Sequence, residues 1–234
     1  MNTVEIKSDV LRPFGPMILN VTLPEQHINK LIEMTDDNSH RDNMDGHLAG
    51  IIKSEPRLDF AELEENNFLS MFEEIGKEFV RTELSRNNHF VFNSELPEHK
   101  ITTYVTNAWC VSQYENEYNP IHYHTKCDIS AVLYLKMPKT KPRNLPGKRD
   151  IDGCIEFVNN SIDSGMLQAG QFLVKPQVGQ LLMFPSNLLH TVYPFIGDGE
   201  RRSIAFNLGY FLGSDEGSRF PKKPKKIVDL ASQT

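Results

Sequence analysis

Three of the chain's eight histidines are placed where they could do chemistry together: His122 and His124 in Ile121-His122-Tyr123-His124, and His190 shortly after the apolar run Leu181-Leu182-Met183-Phe184. Neutral imidazoles are good ligands for Fe(II), zinc and similar ions. Histidines two residues apart on a strand face the same way, and a distant third closes on them if the intervening chain folds into a barrel. Asp128 continues the parity of the pair and is an alternative ligand. A bare HxH is weak evidence alone, because Asn119-Pro120 before it and Thr125-Lys126 after it also suit an ordinary pair of surface histidines.

The context downstream is more specific. Arg201 follows His190 by eleven residues and Ser203 follows two later, so an extended chain puts both on one face with Ala205 and Asn207. Arg202, Ile204, Phe206 and Leu208 take the other face. A guanidinium offers a planar fork that matches a carboxylate and keeps its charge when desolvated, and a hydroxyl two residues on can donate to the same oxygens. Taken alone, Arg201 after Gly197-Asp198-Gly199 reads as a charge on a hairpin; behind His190 it reads as an anchor for an acidic ligand. Tyr134, at the end of the run from Ser130, shares parity with Asp128 and can enter the same cavity, its other role being a core tyrosine.

The elements that must position these residues fall in two parts. Thr22-Leu23-Pro24-Glu25 reads as a capping box before a helix over 24–34, and Phe68, Phe72, Ile75 and Phe79 predict an amphipathic helix of about five turns. Between them, 35–54 is rich in Asp, Asn, His and Gly and reads as an exposed loop able to sit over a site. From about Phe90 the chain turns to short runs rich in Val, Ile, Thr, Tyr and Phe broken by Pro, Gly and Asn, the pattern of a β-sandwich or jelly roll. Lys175-Pro176-Gln177-Val178-Gly179 reads as a turn that delivers a buried strand ending before His190. No internal repeat is visible, and the basic Pro221-Lys222-Lys223-Pro224-Lys225-Lys226 reads as a solvated tail.

The bounds set by composition agree. At 234 residues, 39% hydrophobic and 24% charged, the chain suits one elaborated domain with a full core. The first residues carry acids and no apolar run, so no secretory signal or membrane span is expected and the cytoplasm is the expected location. Cys110, Cys127 and Cys154 are odd in number and lack CxxC spacing, which disfavours a disulfide framework or a cysteine zinc site. A net charge of -6 disfavours nucleic acid as a general partner. A homodimer is left open.

The joint order His122-x-His124, the strand from Ser130, the Phe184-Pro185-Ser186 segment before His190, and Arg201-x-Ser203 resembles the 2-oxoglutarate and Fe(II)-dependent oxygenases over roughly Trp109 to Tyr210. It is closer to a bacterial and phage branch with HxH than to members using two histidines and a carboxylate. The resemblance implies a mainly β fold, a double-stranded β-helix (jelly roll) core over 89–212 with N-terminal α-helices packed outside, the helical part being 1–88 and the tail 213–234. It implies Fe(II) held by His122, His124 and His190, and 2-oxoglutarate anchored by Arg201 and Ser203 with Tyr134 and Tyr114 as further donors. With O2 the keto acid would be cleaved to succinate and CO2, and a peptide, nucleoside or small molecule hydroxylated. Loops 35–54 and 139–152 could close over such a site. Two other classes stand beside this one. His122-x-His124-x3-Asp128 also resembles the first motif of cupins, a metal enzyme or binding module without 2-oxoglutarate, although ten residues separate Gly179 from His190 where the second cupin motif is short. The other is a non-catalytic jelly-roll interaction domain, in which Trp109, Tyr114 and Tyr118 pack or bind a partner.

Overall fold

The computed structural model describes residues 15–44, 50–91, 101–141, 149–159 and 170–212. In chain order the elements are β1 (Leu19–Thr22), α1 (Glu25–Asp36), α2 (Phe60–Glu65), α3 (Phe68–Val91), β2 (Ile101–Gln113), β3 (Asn119–His122), β4 (Ile129–Lys136), β5 (Lys139–Thr140), β6 (Ile155–Val158), β7 (Gln171–Val174), β8 (Gln180–Pro185), β9 (Leu189–Val192), β10 (Gly197–Asp198) and β11 (Arg201–Leu212). Five strands form one sheet in the order β1-β8-β4-β11-β2, and four form a second in the order β3-β9-β6-β7. The chain passes back and forth between the two: β2, β4, β8 and β11 lie in the first, and β3, β6, β7 and β9 in the second. All pairings are antiparallel, and the result is the jelly roll expected from the sequence.

Each face of the large sheet has its own core. Alternation along β11 sends Ile204, Phe206 and Leu208 outward, where they pack with Leu31, Phe68, Phe72 and Phe79 of the helices. Phe72 stacks on Phe206 at 4.2 Å. Helix α3 comes so close to the sheet at Gly76 that an added Cβ would lie 2.8 Å from Leu208 Cδ2. Between the sheets, Tyr134, Ile155, Phe157, Leu182 and Phe184 form a second core. Arg202 ties α1 to β11: its Nη1 donates to Asp36 Oδ1 at 2.7 Å and its Nε to Glu200 Oε1 at 2.7 Å.

Local structure departs from the sequence reading at several points. Thr22 is no capping residue, because β1 pairs it with Gln180; Pro24 is the N-cap of α1, with no side-chain cap bond. The region 35–54 is only partly an exposed loop. Met44 and Ile52 are buried, and residues 51–58 run along the free edge of β2, where Cys110 N donates to Pro56 O at 2.9 Å and Ser112 N to Ser54 O at 3.0 Å. Pairing with β2 satisfies backbone groups that an exposed edge would leave open. The short α2, capped by Asp59 Oδ1 accepting from Ala61 N at 2.8 Å, was not foreseen. Helix α3 continues to Val91, past the 88/89 boundary. Of the basic loop 139–152, Lys139–Thr140 pairs with β10, while 142–148 and the tail 213–234 lie outside the described residues. The three cysteines are free. Among the described residues, no helix is long and apolar enough to cross a membrane.

Candidate metal centre and anion pocket

His190 stands on β9, opposite His122 of β3 on one side and Phe157 of β6 on the other. His124 lies beyond the end of β3, so the two histidines of the HxH do not share a strand as the spacing suggested. The chain turns instead, with Lys126 at φ 61°. The turn is clamped by the Pro185-Ser186 segment: His124 N donates to Ser186 O at 2.9 Å, and Ser186 Oγ donates to Cys127 O at 2.8 Å. That clamp brings the three rings together. One nitrogen from each histidine lies within 4.8 Å of the others, a set that can hold one metal ion.

Two of the rings have their tautomer fixed by the same device. His122 Nδ1 lies 2.7 Å from Pro120 O and His190 Nδ1 2.8 Å from Leu188 O. A carbonyl only accepts, so each Nδ1 carries the proton and each Nε2 lone pair is left for a metal. His124 is held by stacking on Trp109, with centroids 6.0 Å apart. Burial lowers the pKa of all three, to about 4 for His124 and about 3 for His190, and the neighbouring His122 adds to both shifts. The rings are therefore neutral at pH 7, the state that binds metal. Asp128 is outside this group: it is exposed, and its Oδ2 accepts from Tyr210 N at 3.2 Å. Its parity with the histidines is broken by the turn at Lys126.

The histidines line a cavity of about 400 Å³ that also takes in Tyr134, Arg201, Ser203 and Gln113. Arg201 is 3% exposed, and its Nη1 donates to Gln113 Oε1 at 2.7 Å. Its guanidinium carbon sits 5.0 Å from the centre of the Tyr134 ring. Among the described residues its partner is the neutral Gln113 and not an acid, and neither its Nε nor the fully buried Tyr134 hydroxyl has a hydrogen-bond partner. A buried cation is costly unless an anion meets it. Ser203 lies opposite Tyr134 in the β11–β4 register, so guanidinium, phenol and hydroxyl converge. Burial raises the Tyr134 pKa, opposed by the Arg201 charge, and keeps the hydroxyl a donor. This donor set fits a carboxylate. Tyr114 does not join it: its side chain is 48% exposed and lies outside the cavity lining.

Sequence reading missed Gln113 and Trp109 as parts of the site. Their signal was the parity of β2, since Asn107, Trp109, Val111 and Gln113 alternate along one strand and all face the cavity.

Residues 107–207 match a family model described as "Putative 2OG-Fe(II) oxygenase". No curated protein matches the sequence. Among solved structures, the chain is similar to the viral collagen prolyl hydroxylase of Paramecium Bursaria Chlorella virus-1, with 14% identity, TM-score 0.50, 89% of this chain and 97% of that one covered. It is also similar to SnoK, a non-heme alpha ketoglutarate dependent carbocyclase from nogalamycin biosynthesis, with 8% identity, TM-score 0.51, and 86% and 84% covered. At these identities the likeness is one of fold.

Proposed function

We propose that this chain, whose residues 107–207 match a 2OG-Fe(II) oxygenase family model, is a dioxygenase that hydroxylates a peptide, nucleoside or small-molecule substrate and releases succinate and CO2, acting in the cytoplasm. One observation carries the reading most directly. A buried guanidinium without an acidic partner among the described residues shares a cavity with three neutral histidines whose free nitrogens converge.

Bound together, Fe(II) and 2-oxoglutarate supply the oxidation by O2. This chain's part is to hold and orient. His122 and His190 present Nε2 because their Nδ1 protons are committed to Pro120 O and Leu188 O. His124 takes the place that a carboxylate holds in the two-histidine sites, so the protein adds no negative charge at the metal and an anionic cosubstrate is held the more firmly. Arg201, Ser203 and Tyr134 would take the distal carboxylate, with Gln113 keeping the guanidinium in plane for a bidentate contact. Phe157 and Phe184 pack around His190, the latter edge-on at 4.8 Å, and exclude water from that side.

The test is succinate formed from 2-oxoglutarate by the purified protein in the presence of Fe(II), O2 and ascorbate. Slow formation without added substrate, abolished in His190→Ala, is the expected result. Tight binding of one metal with no succinate under any condition would favour the cupin-like reading instead.

A further inference from the structure

Beyond the three histidines, on the side away from Arg201, the cavity carries a second set of donors. Residues 201, 203, 205 and 207 of β11 all line it, which places Asn207 about 20 Å along the strand from Arg201 at ~3.3 Å per residue. The histidines lie between the two, because Trp109, which stacks on His124, is the register partner of Ala205. A ligand anchored on Arg201 and reaching the metal therefore leaves the Asn207 end for something else.

That end is built from two facing carboxamides and a guanidinium. Asn107 and Asn207 are partners in the β2–β11 register. The oxygen of each is taken by a hydroxyl: Ser130 Oγ donates to Asn207 Oδ1 at 2.8 Å, and Thr106 Oγ1 to Asn107 Oδ1 at 2.9 Å. Both NH2 groups are thus turned away from their hydroxyl neighbours and, among the described residues, have no acceptor, although Asn207 is only 4% exposed. Arg57, an exposed residue set opposite Trp109 by an antiparallel bridge, lines the same space; its Nε contacts Met44 Sδ at 3.4 Å, and among the described residues its terminal nitrogens have no partner. The acid in the lining, Glu55, is buried and already partnered. The small side chain of Ala205 leaves room between this donor set and the three histidines.

Resting on the oxygenase reading, we propose that Asn107, Asn207 and Arg57 form a second carboxylate-binding pole, and that the substrate is an organic acid whose carboxylate sits there with its reacting carbon toward the metal. Donors on one side and a cation on the other suit a planar anion better than a neutral amide or an ammonium group. The pole is a specificity device; nothing in it takes part in the oxidation.

The test uses N-acetylglycine, which carries a carboxylate, and N-acetylglycinamide, which lacks it. Anaerobic protein loaded with Fe(II) and saturating 2-oxoglutarate occupies the Arg201 end. Each probe is then titrated while the visible absorption and the side-chain amide 1H–15N resonances of Asn107 and Asn207 are followed. N-acetylglycine is expected to shift both resonances saturably and to bind at least about tenfold more tightly than the amide. Arg57→Ala should remove that preference. Asn207→Asp keeps the acceptor for Ser130 but replaces the donor with a negative charge, and should abolish N-acetylglycine binding while 2-oxoglutarate binding stays intact. Equal binding of acid and amide, or binding indifferent to Asn207→Asp, overturns the pole. The resonances read this end without the iron chromophore, so failure of the oxygenase reading appears separately, as the absence of an absorption change on adding 2-oxoglutarate.

Discussion

At the metal ligands, burial sets a proton balance that can be measured. His190 is pushed down to about 3 and His124 to about 4, from 6.5. Between those values the folded protein binds fewer protons than the unfolded chain, so stability rises with pH in that window. The metal-free protein should be fully stable above about pH 6.5 and lose stability steadily as the pH falls toward 4. Urea midpoints at pH 7.5 and 5.0 check this, and His190→Gln should flatten the difference. At the other end of the cavity, Arg201→Lys keeps the charge but loses the fork, and should weaken 2-oxoglutarate binding about tenfold or more by calorimetry, with metal affinity unchanged. The alternation that put Arg201 and Ser203 on one face was legible because β11 keeps an unbroken register with β2 there, although its pairing with β4 shifts between Arg202 and Ser203. The alternative ligand Asp128 rested on parity carried through a turn at Lys126, where it has no meaning, whereas Tyr114, which the resemblance offered as a donor, lies just past the end of β2. The partner of Arg201, Gln113, is 88 residues away in sequence, and no local signal joins them.

Among the elements, β11 carries the site on one face and the helix-packed core on the other, so its outer face can be tested without touching the chemistry. Phe72→Ala removes the ring stacked on Phe206 and should cost about 3–5 kcal/mol in denaturant unfolding. Below its melting temperature the variant should still bind 2-oxoglutarate normally. Removing the terminal donors of Arg202, as in Arg202→Met, leaves Glu200 and Asp36 without their shared cation and should lower the melting temperature while sparing the cavity. Helix α3 was readable from its periodic phenylalanines, whereas Thr22 was misread because pairing with β8 outweighed a good capping sequence. The edge segment 51–58 carries polar residues in a pattern without period, and only its backbone pairing to β2 makes it part of the sheet.

At the scale of the molecule, the jelly roll matters because it sets two sheets face to face and gives one wall of the cavity to each. The large sheet supplies Arg201, Ser203 and Tyr134, and the small sheet supplies His122 and His190. The turn leading back to the large sheet supplies His124. The order of these residues in the sequence is thus the order in which the chain crosses between walls, which is why the motif was legible before the fold. The proposed chemistry requires metal and cosubstrate to meet in this one cavity. Its most direct test is to titrate the anaerobic Fe(II) protein with 2-oxoglutarate and follow the visible charge-transfer absorption of a keto acid chelated to iron. A saturable band, absent in His190→Ala and requiring much more 2-oxoglutarate in Arg201→Ala, is the predicted result. A protein that binds one Fe(II) through these histidines yet shows no band at any 2-oxoglutarate concentration would contradict it.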